Sequence, residues 1–240
     1  MGTEQEGSSD PTVPADGGPF VLVASLEAPV LNEDDYQHLA KARRLRTGDP
    51  LVLGDGAGHW VPARFGDHHP EVSGEVTFQP RHAVEVAVGF ALVKGSKPEM
   101  AVQKLTEVGV DRIRPFVAAR SVVRWDAARS VSGHARLERV AREAVMQSRR
   151  LWLPEICPVA AFADVAAETG ACRADRGGGP PSLALPLILT GPEGGWDPIE
   201  RACGLPVVGL GPGVLRAETA AIAAGVLLAA LRAGLVAAAG

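Results

Sequence analysis

Two glycine-rich segments of the chain have the residue types of a ligand-binding loop. The first, Leu187 to Gly195 (LILTGPEGG), is an apolar run that leads into glycines, and the second, Val208 to Ala220 (VGLGPGVLRAETA), repeats that order. Glycine lets a ligand approach the backbone closely, and ligands of open α/β sheets bind beyond the carboxyl ends of strands. Either loop alone is better explained by ordinary turn glycines, but two adjacent strand ends of this kind predict one pocket.

The residue types in these loops favour a ligand that is a neutral or cationic nucleoside. The phosphate-loop pattern G-x-x-x-x-G-K-[ST] and the dinucleotide pattern G-x-G-x-x-G are both missing from the sequence. Glu193 would repel a nucleotide phosphate, because both groups are anionic. S-adenosylmethionine carries a sulfonium cation, so a pocket of glycine backbone with one carboxylate and no lysine suits it.

An alternation of strands and helices is expected to position the two loops. Strands are predicted at 83–93, 112–118, 186–191 and 206–211, and helices at 96–109 and 133–148 and after each loop. Ser96 and Glu99 predict a capping box at the start of one helix, and Asp197 with Glu200 predicts the N-cap of another. Residues 172–182 are predicted to be a flexible loop. The order predicts an α/β domain with a mainly parallel sheet over 83–240.

The chain before residue 83 has a different organisation. Residues 1–18 are rich in Gly, Pro, Ser and acids, which predicts a disordered acidic tail. Residues 19–82 predict a small, mostly β domain with strands at 20–26 and 71–80, a short helix within 32–49, and a hairpin that turns at Asp55-Gly56.

The net charge of −4 hides a basic part of the chain. Residues 1–35 carry eight acids and no Lys or Arg, and the remaining residues carry 24 basic against 20 acidic side chains. Ten arginines and three acids lie within 112–150, and residues 36–46 add four basic residues and no acid. Such patches attract phosphates, although a solvated helix face explains them equally well.

Composition also limits the cofactors and the compartment. Cys157, Cys172 and Cys203 have neither metal-ligand nor redox spacing, and the histidines do not cluster with them, so we expect no metal site. The chain starts without a secretory signal. Its longest apolar run, 220–231, has 12 residues, fewer than the roughly 20 that span a bilayer, and predicts a buried helix. We therefore expect a cytoplasmic protein.

The two loops belong to a longer set of family-like segments. GPEGG and the pattern GxxVLRxET lie about twenty residues apart, and HLAKARRLRTGD (38–49), residues 94–125 and AREAVMQSRRLWLPEI (141–156) precede them in order. From about residue 20 onward the chain resembles the RsmE family, a branch of the SPOUT methyltransferases. It departs at 143–150, where relatives have EQSGR-like text, and at Gly213 and Ala217; neither departure touches Arg216, Glu218 or Thr219.

The resemblance implies a fold, a reaction and a cofactor. It implies a C-terminal SPOUT-type α/β domain with a trefoil knot, a small N-terminal PUA-like β-barrel domain and a homodimer. The implied reaction is the methylation of N3 of a uridine in 16S rRNA of the small ribosomal subunit, with S-adenosylmethionine as the methyl donor. By the matching motifs, the cofactor would be held by Leu189, Thr190, Gly191, Glu193, Gly194, Leu210, Gly211, Val214, Leu215 and Thr219.

Arg216 and Glu218 are the candidate catalytic residues for that reaction. N3 of uracil is a weak acid that must lose its proton, which a positioned carboxylate can take while a guanidinium stabilises the resulting charge. The alternative is that Arg216 binds an RNA phosphate and Glu218 orients Arg216 or caps the last helix. In that case positioning alone supplies most of the rate.

The basic residues that we expect to contact RNA phosphates come from both predicted domains. They are Lys41, Arg43, Arg44, Arg46, Arg120, Arg124, Arg149 and Arg150. Two rival functions are compatible with the same sequence. One is another SPOUT activity, such as ribose 2′-O-methylation, and the other is a non-catalytic RNA-binding factor in ribosome assembly.

Overall fold

The computed structural model describes residues 17–123 and 125–237. They form two compact units, one of residues 17–81 with Arg142–Leu153 and one of His82–Ala141 with the chain from Pro154 onward. The acidic tail predicted at 1–18 lies, except for its last two residues, outside the described residues. The predicted domain boundaries at residues 18 and 82 stay predictions. Residues 142–153 lie far later in the chain but pack with the N-terminal unit.

The N-terminal unit is built on a five-stranded sheet. Its strands are β1 (Phe20–Leu22), β2 (Pro50–Gly54), β3 (His59–Arg64), β4 (Glu71–Val72) and β5 (Thr77–Phe78). β1 pairs with β2 in parallel, and β3 pairs antiparallel with β2, β4 and β5. The hairpin at Asp55-Gly56 is thus confirmed, with Gly56 at φ +72°. The single strand predicted at 71–80 is wrong, because residues 73–76 leave the sheet between β4 and β5.

A short helix closes this unit. Asn32 caps α1 (Glu33–Gln37) by accepting a hydrogen bond from the Asp35 backbone N–H, and α1 runs into a π-helical turn, His38–Ala42. Leu39 of that turn is buried against β2 and β3. Arg142 joins the unit's two chain segments, since its guanidinium donates to Asp35 Oδ2 at 2.6 Å and to the Leu22 carbonyl at 2.7 Å.

The C-terminal unit contains a seven-stranded, wholly parallel sheet. Its strands are β6 (Ala87–Ala91), β7 (Arg112–Val117), β8 (Glu155–Ile156), β9 (Ala160–Ala161), β10 (Ala171–Gly179), β11 (Leu187–Thr190) and β12 (Val207–Val208). Their order is β12-β10-β11-β6-β7-β8, and β9 also pairs with β7. β6 is buried throughout, as expected of a central parallel strand. The predicted α/β fold with a parallel sheet is confirmed.

Helices cover both faces of this sheet. On one face, α2 (Lys97–Glu107), the first part of α3 (Ala127–Ser148) and α6 (Ala217–Arg232) pack against side chains such as Val88 and Ile188. On the other face, α4 (Phe162–Ala166) and Trp196 pack against Phe116 and Leu189. The short helix α5 (Pro198–Arg201) follows β11. The apolar run 220–231 is a helix, as predicted, but only its face with Ala221, Ala224, Gly225 and Leu228 is buried, and Val226 is 45% exposed.

Two predicted features of this unit are wrong. Residues 172–182 are not a flexible loop, because β10 extends over Ala171–Gly179 between β11 and β12, with a register shift between Ala174 and Gly179. The Ser96/Glu99 capping box does not form: Ser96 has φ −88° and ψ 10° rather than an extended cap conformation, and its side chain makes no cap hydrogen bond. Glu99 instead pairs with Arg136 Nε at 2.9 Å.

Among the described helices, none combines the length and apolar character that a membrane crossing requires.

Candidate active site

A cavity of about 600 Å³ lies at the carboxyl ends of β10, β11 and β12. Three segments line it: residues from the bulged part of β10, the loop that connects β11 to α5, and the loop that connects β12 to α6. The lining residues are Ala174–Arg176, Thr190–Trp196, Arg201, Leu210, Gly211, Gly213–Leu215, Ala217 and Ala220. The two glycine-rich segments of the sequence therefore meet in one pocket, as their strand–loop–helix order predicts.

The first loop is held in place by the aromatic core beneath it. Trp196 is buried, stacks on Phe116 with ring centroids 6.1 Å apart, and donates from Nε1 to the Ala174 carbonyl at 2.8 Å. A Cβ at Gly191 would come within 2.9 Å of the Trp196 ring, so the indole requires glycine there. Thr190 Oγ1 donates to the Gly89 carbonyl at 3.2 Å and ties the end of β11 to β6.

A capping box fixes the end of this loop and the start of α5. Asp197 accepts a hydrogen bond from the Ile199 N–H, and Glu200 accepts one from the Asp197 N–H, as the sequence predicts. Glu200 is buried, and its other oxygen accepts from the Ala119 N–H at 2.7 Å. Arg120 Nη1 donates to the Gly194 carbonyl at 3.2 Å. The segment after β7 is thus fastened to the GPEGG loop.

The second loop presents apolar side chains and backbone to the cavity. Val214 is 76% exposed and Leu215 38% exposed, although both are large and apolar. Gly211 has φ +132°, a conformation that L-residues rarely adopt, and no heavy atom lies within 4 Å of where its Cβ would stand. Backbone groups and apolar surface at this wall are therefore open to a ligand.

Arg216 and Glu218 stand at the start of α6, at the edge of the cavity. Arg216 is the exposed N-cap residue, and Glu218 lies in the first turn, where a carboxylate interacts favourably with the helix dipole. Neither lines the cavity, but their neighbours Leu215 and Ala217 do. The Glu218 side chain is 13% exposed, and its Oε2 has no hydrogen-bond partner among the described residues.

Lys97 is a site residue that the sequence prediction missed. Its ammonium pairs with the Glu193 carboxylate and lies 3.5 Å from Glu218 Oε2. The hydrogen bond to Glu193 raises the pKa of Lys97, and the same bond lowers the pKa of Glu193, with smaller contributions from the charges of Arg216 and Lys94. The sequence showed Lys97 only as a member of the 94–125 segment, with no spacing that connects it to residues about a hundred positions later.

Asp175 was missed because residues 172–182 were predicted to be a flexible loop, and Arg201 was not among the predicted site residues. Asp175 accepts hydrogen bonds from Arg173, and its Oδ2 lies 3.0 Å from Arg201 Nη1. Burial would raise the pKa of Asp175, but the hydrogen bonds from Arg173 and the Arg176 N–H and the charge of Arg201 together lower it. An ionised carboxylate therefore stands in the cavity wall.

Most of the residues predicted to hold the cofactor line this cavity. They are Thr190, Gly191, Glu193, Gly194, Leu210, Gly211, Val214 and Leu215. The Leu189 side chain is instead buried in the sheet, and Thr219 is exposed on α6. The remaining site assignments stay predictions.

The basic residues predicted to contact RNA are found in different environments. Lys41, Arg43, Arg44 and Arg46 are exposed on the N-terminal unit, and Arg120 is exposed beside the GPEGG loop. Arg149 donates to the Gly18 carbonyl at 2.7 Å, and Arg150 is only 5% exposed. Arg150 therefore does not fit the predicted phosphate-contacting surface, and Arg124 lies outside the described residues.

A second cavity, of about 450 Å³, lies within the N-terminal unit. The π-helical turn contributes His38 and Leu39 to it, and Arg43 and Arg149 line it as well. Arg149 has φ +60° and Arg44 has φ +57°, which is unusual for residues other than glycine.

Across the described residues, no group of three or more His, Cys, Asp or Glu side chains could hold a metal ion.

The walls of the larger cavity fit S-adenosylmethionine. Its volume is within the range of about 300–1,000 Å³ that is usual for small-molecule sites, and five glycines expose backbone in it. Val214 and Leu215 offer apolar surface for an adenosine, and Asp175 and Glu193 offer carboxylate oxygens that can accept hydrogen bonds from a ligand.

Comparison with known proteins places this geometry in a family. A family model described as "RNA methyltransferase domain" matches residues 80–229, and one described as "RNA methyltransferase PUA domain" matches residues 31–72. The ribosomal RNA small subunit methyltransferase E of Mycobacterium bovis is 33% identical over 222 residues, which cover 81% of this chain and 83% of that protein. The Bacillus subtilis protein of the same name is 29% identical and covers 81% and 87%.

Solved structures agree with the sequence comparison. A probable rRNA-methyltransferase from Porphyromonas gingivalis has a TM-score of 0.74 and 28% identity over 91% of this chain and all of that one. The fold is also that of the Neisseria gonorrhoeae ribosomal RNA small subunit methyltransferase E bound to S-adenosyl methionine, with a TM-score of 0.76 and 24% identity over 89% and 97% of the two chains. A match that spans most of the chain, and a relative that shares a third of its residues, show that this chain belongs to the RsmE-type family of RNA methyltransferases.

Proposed function

We propose that this protein transfers a methyl group from S-adenosylmethionine to N3 of a uridine in the 16S rRNA of the small ribosomal subunit. The observation that carries the proposal is the glycine-walled cavity formed by the GPEGG and LGPGVLRAETA loops, in a chain of this family. Relatives named ribosomal RNA small subunit methyltransferase E support the choice of substrate.

The cofactor is assigned to the larger cavity. Main-chain groups from Thr190 to Gly194 and from Leu210 to Leu215 bind it, because the glycines there let a ligand approach the backbone. When bound, S-adenosylmethionine supplies an electrophilic methyl group on a sulfonium.

Glu218 and Arg216 act on the uracil in this proposal. Glu218 lies in the first turn of α6, next to the cavity-lining residue Ala217, and it takes the N3 proton of a uracil brought to the cavity edge. Loss of that proton leaves negative charge on the uracil carbonyl oxygens, which the exposed Arg216 guanidinium stabilises. The N3 lone pair would then be free to take the methyl group that the cofactor supplies, as the bond from that methyl group to sulfur breaks.

Further features of the family enter the same proposal. RNA phosphates are contacted by the exposed basic residues Lys41, Arg43, Arg44 and Arg46 of the N-terminal unit and by Arg120 of the C-terminal unit. The protein works as a homodimer in the cytoplasm, and the end of its chain forms the trefoil knot that the resemblance implies.

Two measurements test the proposal. Calorimetry of the purified protein should detect stoichiometric binding of S-adenosylmethionine. Mass spectrometry of nucleosides from 16S rRNA should find 3-methyluridine in the parent strain and lose it when the gene is deleted. Loss of a 2′-O-methylated nucleoside instead would assign ribose methylation, and an unchanged nucleoside profile with no cofactor binding would leave a non-catalytic assembly factor.

A further inference from the structure

Lys97 contacts two carboxylates that have different roles in the proposed function. Glu193 belongs to the loop proposed to bind the cofactor, and Glu218 is the proposed base. The Lys97 side chain is 30% exposed, the Glu218 side chain 13% and the Glu193 side chain 57%, so the cluster is shielded from water on the Glu218 side and open on the Glu193 side. Water and salt therefore screen the pair with Glu218 less than the pair with Glu193.

The three residues come from three separate segments of the C-terminal unit. Lys97 is the first residue of α2, Glu193 lies between β11 and α5, and Glu218 lies in the first turn of α6. Both carboxylate-bearing segments supply lining residues of the larger cavity. A single cation at the start of α2 therefore restrains both loops at the cavity mouth.

The geometry also divides the roles of the two carboxylates. Lys97 donates a hydrogen bond to Glu193, whereas the buried Glu218 Oε2 lies 3.5 Å from the same ammonium and is held by charge attraction. Without Lys97, the carboxylates of Glu193 and Glu218 would face each other with like charge, which disfavours their common approach.

We propose that Lys97 is a positioning residue of the methyl-transfer site: it tethers the GPEGG loop through Glu193 and holds the Glu218 side chain in place at the cavity edge. This inference rests on the proposed function, since it assigns the cavity to the cofactor and the proton transfer to Glu218. It predicts that removal of the Lys97 charge weakens cofactor binding and slows the single-turnover rate at saturating cofactor.

The experiment compares Lys97→Met with Lys104→Met. Lys104 lies on the same helix and pairs only locally, with Glu107 at 2.7 Å, so the control removes the same charge away from the cavity. Calorimetry should show S-adenosylmethionine binding weakened roughly 3- to 10-fold by Lys97→Met and unchanged by Lys104→Met. Lys97→Arg should restore most of the affinity, because it keeps the cation. Circular dichroism and the melting temperature report whether each variant is folded.

A double-mutant cycle with Glu193→Gln tests the contact itself. If Lys97 acts through Glu193, the double variant should bind the cofactor no more weakly than Lys97→Met alone, whereas independent losses would multiply. Equal affinities of Lys97→Met and Lys104→Met, or multiplicative losses in the cycle, would overturn the inference. If Lys97→Met does not fold, the Lys97→Glu/Glu193→Lys exchange replaces it, and failure of this exchange to recover affinity counts against the tether.

The wild-type protein separates this inference from the function on which it rests. A wild-type protein that binds no S-adenosylmethionine would overturn both. A wild-type protein that binds and methylates, beside a Lys97→Met protein that does so equally well, would overturn only the role of Lys97.

Discussion

Glu218 is a largely buried carboxylate at the start of α6, and two roles predict different outcomes when it becomes Gln. If Glu218 takes the N3 proton, Glu218→Gln should slow single turnover by roughly 10²- to 10⁴-fold, while cofactor binding persists. An essential base also makes the rate rise with pH as the base loses its proton, and the substitution should flatten that rise. Rates across pH, with saturating cofactor and small-subunit particles, measure both effects.

In the alternative, Glu218 has only a structural role, which is to stabilise α6. A carboxylate in the first turn stabilises a helix by about 0.3–1 kcal/mol, so in that case Glu218→Gln lowers the melting temperature slightly and leaves the rate–pH profile unchanged. Such a result would remove Glu218 from the chemistry and leave Arg216, the main-chain groups of the cavity and solvent. Arg216→Ala should slow turnover in either case, since Arg216 is exposed between the cavity-lining residues Leu215 and Ala217 and is assigned to hold the uracil.

Glycines in the cavity wall differ in how strictly the backbone requires them. Gly194 and Gly211 both line the cavity and are both predicted to hold the cofactor. In the structure a Cβ at Gly194 meets Arg120 at an ordinary 3.4 Å, whereas Gly211 has φ +132°. Gly211→Ala should therefore weaken S-adenosylmethionine binding much more than Gly194→Ala, because it strains the loop as well as adding a methyl group. Calorimetry of the two folded variants compares them, and equal losses would contradict this assignment.

At the scale of elements, the pattern of apolar and turn residues predicted most strands of the parallel sheet but not β10. β6, β7, β11 and β12 were expected because short apolar runs read as buried strands. β10 carries Arg173 and Asp175 and ends in three glycines, so its pattern is that of a loop. Its polar side chains are accommodated because Asp175 pairs with Arg173 on the same strand and with Arg201 of α5, and the pair with Arg201 is a tertiary contact that no local rule contains.

The two predicted helix caps show the same limit. Asp197 and Ser96 both stand where a capping residue is expected, with Glu three positions later. The backbone of Asp197 is extended, and Asp197 forms the capping box with Glu200. The backbone of Ser96 is not extended, and Glu99 pairs with Arg136 of α3 instead. The sequence specifies which residues can cap a helix, and the packing of distant helices decides whether they do. Lys97 escaped prediction for the same reason, since its partners lie on other elements.

Asp175 gives the bulged part of β10 a pH-dependent contribution to stability. Its pKa lies below the usual value because Arg173, Arg176 and Arg201 outweigh burial. A carboxyl whose folded pKa is depressed stabilises the native state above its unfolded pKa, and this stability is lost as pH falls through the folded pKa. Asp175→Asn should therefore cost about 1–3 kcal/mol at pH 7, since it leaves the buried Arg173 without its anionic partner.

Melting temperatures of the wild-type and Asp175→Asn proteins across pH test this sign. The gap between them should be widest near neutrality and narrow below about pH 4. Asp164→Asn, at an exposed position in α4, is the matched control and should shift the melting temperature little at any pH. A gap that stays constant with pH would assign the Asp175 effect to packing rather than to charge.

At the scale of the whole molecule, overall charge and local charge have opposite signs. The chain carries a net charge of −4, yet Lys41, Arg43, Arg44 and Arg46 form an exposed cluster with no acid between residues 36 and 46. The sequence also predicted that Arg150 contacts RNA, but Arg150 is buried in the structure. A count of arginines along the sequence cannot tell an exposed side chain from a buried one. What the protein presents to RNA is thus set by which arginines the fold leaves in solvent.

The exposed cluster predicts how RNA binding depends on salt. Replacement of Arg43, Arg44 and Arg46 by Ala should weaken binding of small-subunit rRNA and lower the slope of log K against log salt by roughly 2–3, since each lost phosphate contact releases one counterion fewer. Cofactor binding should be unchanged, because these residues belong to the N-terminal unit and the cavity to the C-terminal one.

The control is a triple variant, Lys104→Ala with Arg129→Ala and Arg139→Ala, which removes the same charge elsewhere and tests whether net charge alone is responsible. Filter binding from low to physiological salt distinguishes the cases. A wild-type slope in the first variant would show that the cluster does not face the RNA, and equal slopes in the two variants would show that the attraction is general rather than local.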